Sequence, residues 1–243
     1  MIKLPQTISD LLVGKHCIND TIGQSDSSVY IYEDVVLKVE KIGENSQNEL
    51  RMLNWLKDKL PVPKVLCVEL QNGFQFLLMT RLEGCMACDP SIPQPEKLSL
   101  LKEAVELLWK IPISSCPHQN SLSNKLKQAS FNVENNLVDI NNTEPETWKE
   151  FKGPKHLLDW LIENRPEEEL VFSHGDFCLE NLFFNKGKIS GFIDMGQSGV
   201  ADKWQDLALL WRSLDKNDAI FRELNIEPNY EKLRYFVLLD ELF

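Results

Sequence analysis

The chain has 243 residues, 43% of them hydrophobic and 26% charged, and 26 Lys+Arg against 37 Asp+Glu give a formal net charge of −11. That length buries a substantial core in one large or two small domains, and the composition is that of a globular protein with no apolar run near the ~18 residues of a membrane span. The negative balance argues against nucleic acid, whose phosphates it repels, and is as compatible with a cationic ligand as with plain solubility.

The start, Met1-Ile-Lys-Leu-Pro-Gln-Thr7, lacks the apolar core and cleavage site of a signal peptide, so a cytoplasmic protein is expected. Its six cysteines, Cys17, Cys67, Cys85, Cys88, Cys116 and Cys178, then read as free thiols. Cys85-x-x-Cys88 has no second pair or His partners, and no metal is assigned to it.

In chain order, a short helix is expected within residues 1–13. His16–Thr21 and Val29–Tyr32 read as strands. Between them, Ile22-Gly-Gln-Ser-Asp-Ser-Ser28 is a Gly- and Ser-rich stretch, either a plain turn or one whose N–H groups and hydroxyls meet phosphate. Val35–Val39 is a strand with Lys38 inside an apolar run, and a half-buried Lys needs a partner. The helix that follows, marked by Leu50, Leu53, Leu56 and Leu60, carries Glu49, and Glu44 lies before that periodic stretch. Pro61 and Pro63 stop the helix. Val65–Glu69 and Phe74–Met79, turned by Asn72-Gly73, complete a small five-stranded lobe.

From Pro95 the pattern is helical: Leu98, Leu101, Val105 and Leu108 share a face, and Pro112 ends the run. Further helices are expected over 121–138 and 154–164, with Asn141–Thr147 a loop between them. Leu170–Phe172 is a short strand that ends in a turn carrying His174 and Asp176. Asn181 follows, then a hairpin that returns through Ile189–Ile193 to Asp194, with Gly196 just beyond. Such a hairpin brings Asp176, Asn181 and Asp194 to one rim, and these oxygen donors suit Mg²⁺ better than zinc. Phosphoryl transfer needs one carboxylate to orient and deprotonate a hydroxyl, and an Asn and a second Asp for the metal, in this order. Asp202 can cap a helix through Leu214, with Leu207, Leu210, Trp211 and Leu214 inward. The last helix is expected from about Pro228 to Leu242.

The segments Glu168–Asp176, Gly191-Phe-Ile-Asp194 and Ala201-Asp-Lys-Trp204 resemble the aminoglycoside 3'-phosphotransferases, bacterial antibiotic-resistance kinases. So do Leu60–Leu66, Leu77-Leu-Met79, Cys116-Pro117 with Asn120-Ser-Leu122, and Leu238–Phe243, so that the similarity covers nearly the whole chain. The resemblance implies an α+β, protein-kinase-like two-lobe fold. Its N-lobe, residues 1–80, would be a small five-stranded antiparallel sheet with one helix. Residues 81–84 would be the hinge, and 85–243 a larger, mostly helical catalytic and substrate-binding lobe.

It further implies ATP or GTP with Mg²⁺ between the lobes, Asp176 as the catalytic base, and Asn181 and Asp194 at the metal. Lys38, Glu49, Ser25, Met79, Arg81, Leu82 and Ile193 would serve the nucleotide. Asp240, Glu241 and Phe243 would meet the aminoglycoside, with Glu144 and Glu146 as an opposite wall. Asp240, Glu241 and a terminal carboxylate would crowd negative charge at a helix C-terminus, where the dipole disfavours it, so an external cation would explain them.

Three positions depart from the family's pattern: Val36 where an aromatic often stacks on adenine, Gln197 where Arg usually follows Asp-x-Gly, and Asp215-Lys216-Asn217-Asp218 where paired acids are usual. They bear on nucleotide preference and drug range. The alternatives are a kinase of a metabolite alcohol, choline- or sugar-kinase-like, and a catalytically silent nucleotide-binding module. A monomer is expected, because no exposed apolar stripe is evident.

Overall fold

The structure, a computed structural model, describes residues 3–22 and 27–243; Ser25 lies outside the described residues. In chain order the elements are α1 (Gln6–Leu11), β1 (Asn19–Ile22), β2 (Ser28–Ile31), β3 (Val35–Lys41), α2 (Glu44–Leu56), β4 (Val65–Gln71), β5 (Phe74–Thr80), β6 (Cys85–Met86), α3 (Gln94–Trp109), α4 (Leu122–Glu134), α5 (Thr147–Glu150) and α6 (Pro154–Glu163). They continue with β7 (Leu170–Ser173), β8 (Leu182–Asn185), β9 (Lys188–Phe192), β10 (Gly199–Asp202), α7 (Lys203–Ser213), α8 (Ala219–Leu224) and α9 (Tyr230–Asp240). Two compact units result. One takes the chain up to Asp89 together with Glu180–Gln197, the other Pro90–Leu179 with Ser198–Phe243. The first thus includes the β8–β9 hairpin, which lies in the range 85–243 of the sequence reading.

Alternation along β3 organises the first unit. Val35, Leu37 and Val39 are buried in one cluster with Ile8, Leu12, Phe76 and Leu78. The period of two sends Lys38 to the other face, where it meets α2. Full burial of each such apolar side chain contributes about 1.5–3 kcal/mol. The sheet is antiparallel with order β1-β2-β3-β5-β4. Its β4–β5 hairpin closes through Asn72 and Gly73 at φ 53° and 81°, the pair of positive angles that a two-residue hairpin turn requires. In α2, Ser46 Oγ accepts the Gly43 N–H at 2.9 Å, which closes the open N-terminus of the helix. The helix begins at Glu44, earlier than the periodic stretch suggested, and Glu44 is exposed while Glu49 is buried.

A second small sheet, β6-β8-β9, completes the first unit. Cys85, expected in a connector, lies in its short first strand opposite Phe184. Gly84, just before it, has φ +98°, and a Cβ there would stand 1.9 Å from the Phe184 carbonyl oxygen.

In the second unit the predicted α3 face is buried at Leu98, Leu101, Val105 and Leu108. Helix α4 packs with α6, α7 with α9, and α3 with α8. Strands β7 and β10 pair antiparallel, Phe172 opposite Val200. Sequence reading passed over β10 and α8, and α5 begins at the end of the expected loop. The last helix starts at Tyr230 rather than Pro228, because the Asn229 side chain accepts the Lys232 N–H and serves as the N-cap. Trp211 is only half-buried, and its indole N–H donates to Asp218 at 2.9 Å. No helix among the described residues is long and apolar enough to cross a membrane.

Gly84→Ala adds a methyl against a backbone carbonyl at a left-handed residue. It should destabilise the protein by roughly 1–3 kcal/mol, seen as a lower urea midpoint; an unchanged midpoint would show that the β6–β8 approach is not tight.

Candidate active site

In the first unit, Lys38 Nζ lies 2.7 Å from Glu49 Oε2, 3.1 Å from Asp194 Oδ1 and 3.8 Å from Glu40 Oε2. One ammonium thus serves three carboxylates, and Glu40 Oε1 is buried with no hydrogen-bond partner. Burial opposes the ammonium, but Glu49, Asp194 and Glu40 outweigh it and hold its pKa above the ordinary lysine value. Burial also pushes Glu49 up to about 7; Lys38 pulls it back, while Asp194 and Glu40 push further. Both directions follow from the excess of negative charge: it favours the single cation and penalises each acid.

Asp194 has φ +56°, the left-handed region that non-glycine residues enter at a cost of about 1–2 kcal/mol. Backbone on both sides holds it there. The Ile193 N–H donates to the Asn181 carbonyl at 3.0 Å. Past Asp194, the Asn48 amide donates to the Gly196 carbonyl at 2.9 Å. A Cβ at Gly196 would come within 3.2 Å of the Asn45 carbonyl oxygen, so a glycine lets the loop settle on α2. Adjacent residues of α2, Asn48 and Glu49, therefore fix the loop after Asp194 and the ammonium that Asp194 touches.

The other nucleotide candidates lie in the same unit. Met79 is buried on β5, opposite Val36. Arg81 is engaged internally: its N–H donates to the Asp34 carbonyl at 2.9 Å and its guanidinium to the Tyr32 carbonyl at 3.1 Å. The N–H groups of Leu82, Glu83 and Gly84, by contrast, meet no acceptor among the described residues.

In the second unit, Asp176 sits on the loop after β7. Asp206, on α7, accepts from the Ser173 hydroxyl, the His174 N–H and the Gly175 N–H, each at 2.9 Å. The neighbouring Gln205 amide donates to the Gly175 carbonyl at 2.9 Å. Gly175, at φ +86°, supplies the bend that presents both of its backbone groups to α7. Burial pushes the Asp206 carboxyl up, against the pull of His174 and the donors. Sequence reading missed Asp206 and Gln205. The available signal was an acid placed directly before the apolar run Leu207–Leu210, where only a partnered carboxylate can be buried.

The Asp-Lys-Trp segment is structural. Asp202 caps α7 and also accepts from Lys232 Nζ at 2.9 Å. Glu169 takes Lys203, the Trp204 indole N–H and Lys232, and Lys203 above all pulls its carboxyl down to about 2.

The acidic residues assigned to a cationic ligand have resident cations. Asp240 lies 2.5 Å from Arg212, whose other nitrogen is 3.7 Å from Glu241. Glu241 is buried and accepts the Glu144 N–H at 2.9 Å. Glu144 pairs with Lys216 at 3.0 Å and Glu146 with Lys149 at 2.6 Å. Lys125 Nζ stands 4.9 Å from the centre of the Phe243 ring. The argument that the fold itself gains nothing from acids at this helix end is corrected: Arg212 reaches across from α7 to meet them.

Over residues 18–236 the sequence matches the phosphotransferase enzyme family. An aminoglycoside 3'-phosphotransferase of Enterococcus faecalis is 38% identical over 264 aligned residues, covering 100% of this chain and 99% of the relative. That of Staphylococcus aureus is 37% identical over 263, with the same coverage. A crystal structure of an aminoglycoside-3'-phosphotransferase of type VIII is similar with a TM-score of 0.79 at 26% identity, over 94% of this chain and 93% of that one. An aminoglycoside phosphotransferase of Streptomyces rimosus in complex with ADP and streptomycin gives 0.82 at 22% identity over 100% and 99%, a likeness of fold. The chain belongs to the phosphotransferase enzyme family and, within it, to the aminoglycoside 3'-phosphotransferases. The α+β architecture expected from the sequence is the one its structural relatives share.

The clamp on the Asp176 loop is testable apart from any activity. Asp206→Asn sets an amide N–H₂ against backbone donors and should cost roughly 2 kcal/mol in urea unfolding. It should also speed amide exchange at His174 and Gly175; native-like protection there would mean that the loop holds without Asp206.

Proposed function

We propose that this protein transfers the γ-phosphate of ATP or GTP to the 3'-hydroxyl of an aminoglycoside, a reaction that inactivates the antibiotic. The observation that carries the reading is Lys38, held between Glu49 and Asp194 in a chain of this family. The ammonium suits the α- and β-phosphates, with Glu49 as the fixed partner that keeps it in place. The contact with Asp194 is the one that opens, since that side chain is half-exposed and the Glu49 side chain is not.

Mg²⁺ fits the donors. Asp194 and Asn181 offer hard oxygens, and among the described residues no three His, Cys, Asp or Glu side chains converge into a protein-only metal cage. A magnesium ion held by one or two protein groups and the nucleotide's own phosphates matches that pattern. When bound, it would neutralise charge on the transferring phosphoryl group. Asp176 orients the acceptor hydroxyl and takes its proton as the oxygen attacks the γ-phosphorus and the bond to the β-phosphate oxygen breaks. Leu82 offers a backbone N–H to the purine, Met79 and Ile193 apolar surface. In this reading residues 1–80 are the nucleotide lobe, 81–84 the hinge and 85–243 the acceptor lobe. The enzyme works where nucleoside triphosphates are, in the cytoplasm.

One observation favours a second reading, a less cationic metabolite alcohol as acceptor: Asp240, Glu144 and Glu146 already pair with Arg212, Lys216 and Lys149. Phosphate transfer to kanamycin, neomycin and choline, each with ATP and GTP, decides between the two. On the favoured substrate, Asp176→Asn should lower kcat by about 10²–10⁴-fold with nucleotide affinity unchanged; near-native turnover would remove Asp176 from the chemistry. Asp194→Ala should abolish magnesium-dependent nucleotide binding in a calorimetric titration. Normal binding by that variant would overturn the metal assignment.

A further inference from the structure

Past Arg81, the chain from Leu82 to Met86 lies along the β8–β9 hairpin, all within the first unit. Several contacts fix it there. The two methyls of Leu82 fill the place of a side chain on β9: a Cβ at Gly191 would stand 2.7 Å from Leu82 Cδ1 and 3.0 Å from Cδ2. The Asn185 amide donates to Glu83 Oε2 at 3.0 Å. Gly84 abuts the Phe184 carbonyl, and further on the Ala87 N–H donates to the Leu182 carbonyl at 2.8 Å.

The notch at Gly191 has a hard floor. The same Cβ would come 2.9 Å from the Pro61 carbonyl oxygen, which accepts the Phe192 N–H at 2.9 Å. Strand β9 is therefore pinned from behind, and Leu82 cannot settle deeper onto it. The segment so held keeps three N–H groups, those of Leu82, Glu83 and Gly84, without an acceptor among the described residues. Backbone donors need acceptors, and this arrangement leaves them to water or to a ligand. Ile193, two residues past Gly191, shares its face of the strand, and Asp194 follows. One hairpin thus carries the support for the open N–H groups, an apolar side chain and the acid read above as a metal ligand.

We propose that Leu82 and Gly191 are positioning residues for the base of the nucleotide: the Leu82 side chain, stopped by the bare backbone of Gly191, sets where the neighbouring N–H groups meet the purine. A larger residue on either side of this contact lifts the segment off the hairpin and carries the donors with it, and hydrogen bonds weaken steeply once distance and angle leave their narrow range. The phosphates answer to Lys38 and Asp194 instead, so affinity for the base and affinity for the phosphates come apart. This inference rests on the reading of the site as one for a nucleoside triphosphate.

Calorimetric titration separates the two ends of that ligand. The probes are ATP and GTP with Mg²⁺, and magnesium tripolyphosphate, which offers phosphates without a base. Gly191→Ala should weaken whichever nucleotide the native protein binds by roughly three- to tenfold, the value of one hydrogen bond, and leave tripolyphosphate unchanged. In steady-state turnover the same variant should raise the nucleotide KM and leave the aminoglycoside KM as it was. Adding Leu82→Ala to it should recover part of the lost affinity, because the methyls that met the new Cβ are gone. Leu82→Phe, which enlarges the contact from the other side and leaves β9 intact, should reproduce the loss, and it answers the question if Gly191→Ala does not fold.

Equal weakening toward nucleotide and tripolyphosphate, or no recovery in the double variant, would mean that Gly191 serves the fold alone, and the positioning role is overturned. Native nucleotide affinity in Gly191→Ala and Leu82→Phe overturns it as well. These outcomes leave the functional reading standing. A native protein that binds neither ATP nor GTP sinks that reading, and this inference with it.

Discussion

One ammonium among three carboxylates is the constraint on which the first unit depends. Lys38 is delivered to its face of β3 by the same alternation that buries Val35, Leu37 and Val39 on the other. Glu49 must then be buried on α2, because a buried ammonium that loses its partner costs about 3–5 kcal/mol. Helix α2 is therefore placed by charge as well as by Met52, Leu53 and Leu56. Once placed, it fixes more than Lys38: the Asn48 amide holds the Gly196 carbonyl, and the Ser46 carbonyl accepts from buried Gln75 on β5. A sheet, a helix and the hairpin of β8 and β9 converge on a few polar contacts whose satisfaction is all or nothing.

The second unit uses the same device with the charges exchanged for backbone. A buried carboxylate, Asp206, gathers N–H groups from a loop that has no regular structure to satisfy them. Carboxylate acceptors make such bonds stronger than neutral ones, and Gln205 takes the carbonyl that Asp206 cannot. Asp176 thus follows a bend whose backbone is held by two buried side chains of α7. A general base depends on such fixing, since a loosely held carboxylate loses the alignment that makes it effective.

What could be read from the sequence was what rests on period, on turn chemistry or on a charge out of place. Lys38 inside an apolar strand demanded a partner, and the kinase-like resemblance together with the helical spacing around Glu49 named it. Asn72-Gly73 named its own turn. The α3 stripe followed from spacing. The rest depends on where the chain returns to itself. Strand β10 has four residues, buried throughout and without alternation, so nothing local marks it; it becomes a strand by pairing with β7 on one side and bridging Gln119 through Val200. Arg212 as the partner of Asp240 spans helices α7 and α9, and no spacing rule reaches that far.

The acidic balance of the chain therefore has a different meaning in the fold than in the composition. A net charge of −11 suggests open negative surface for a cation, yet the acids at the end of α9 and in the 140–150 region are matched from within. Lys216 shows that the match is built. It sits at φ +60° directly after Asp215 at φ +53°, two successive residues in a region that side chains avoid, and from there reaches Glu144. Exposed pairs of this kind are worth only about 0–1 kcal/mol, too little to account for the backbone cost. The pairs of Lys216 and Lys149 are of this exposed kind, whereas Arg212 is shared between Asp240 and Glu241 at a less exposed place. Under the reading proposed above, a cationic substrate would displace the weaker pairs first, and the pattern of resident cations, more than the net charge, would select it.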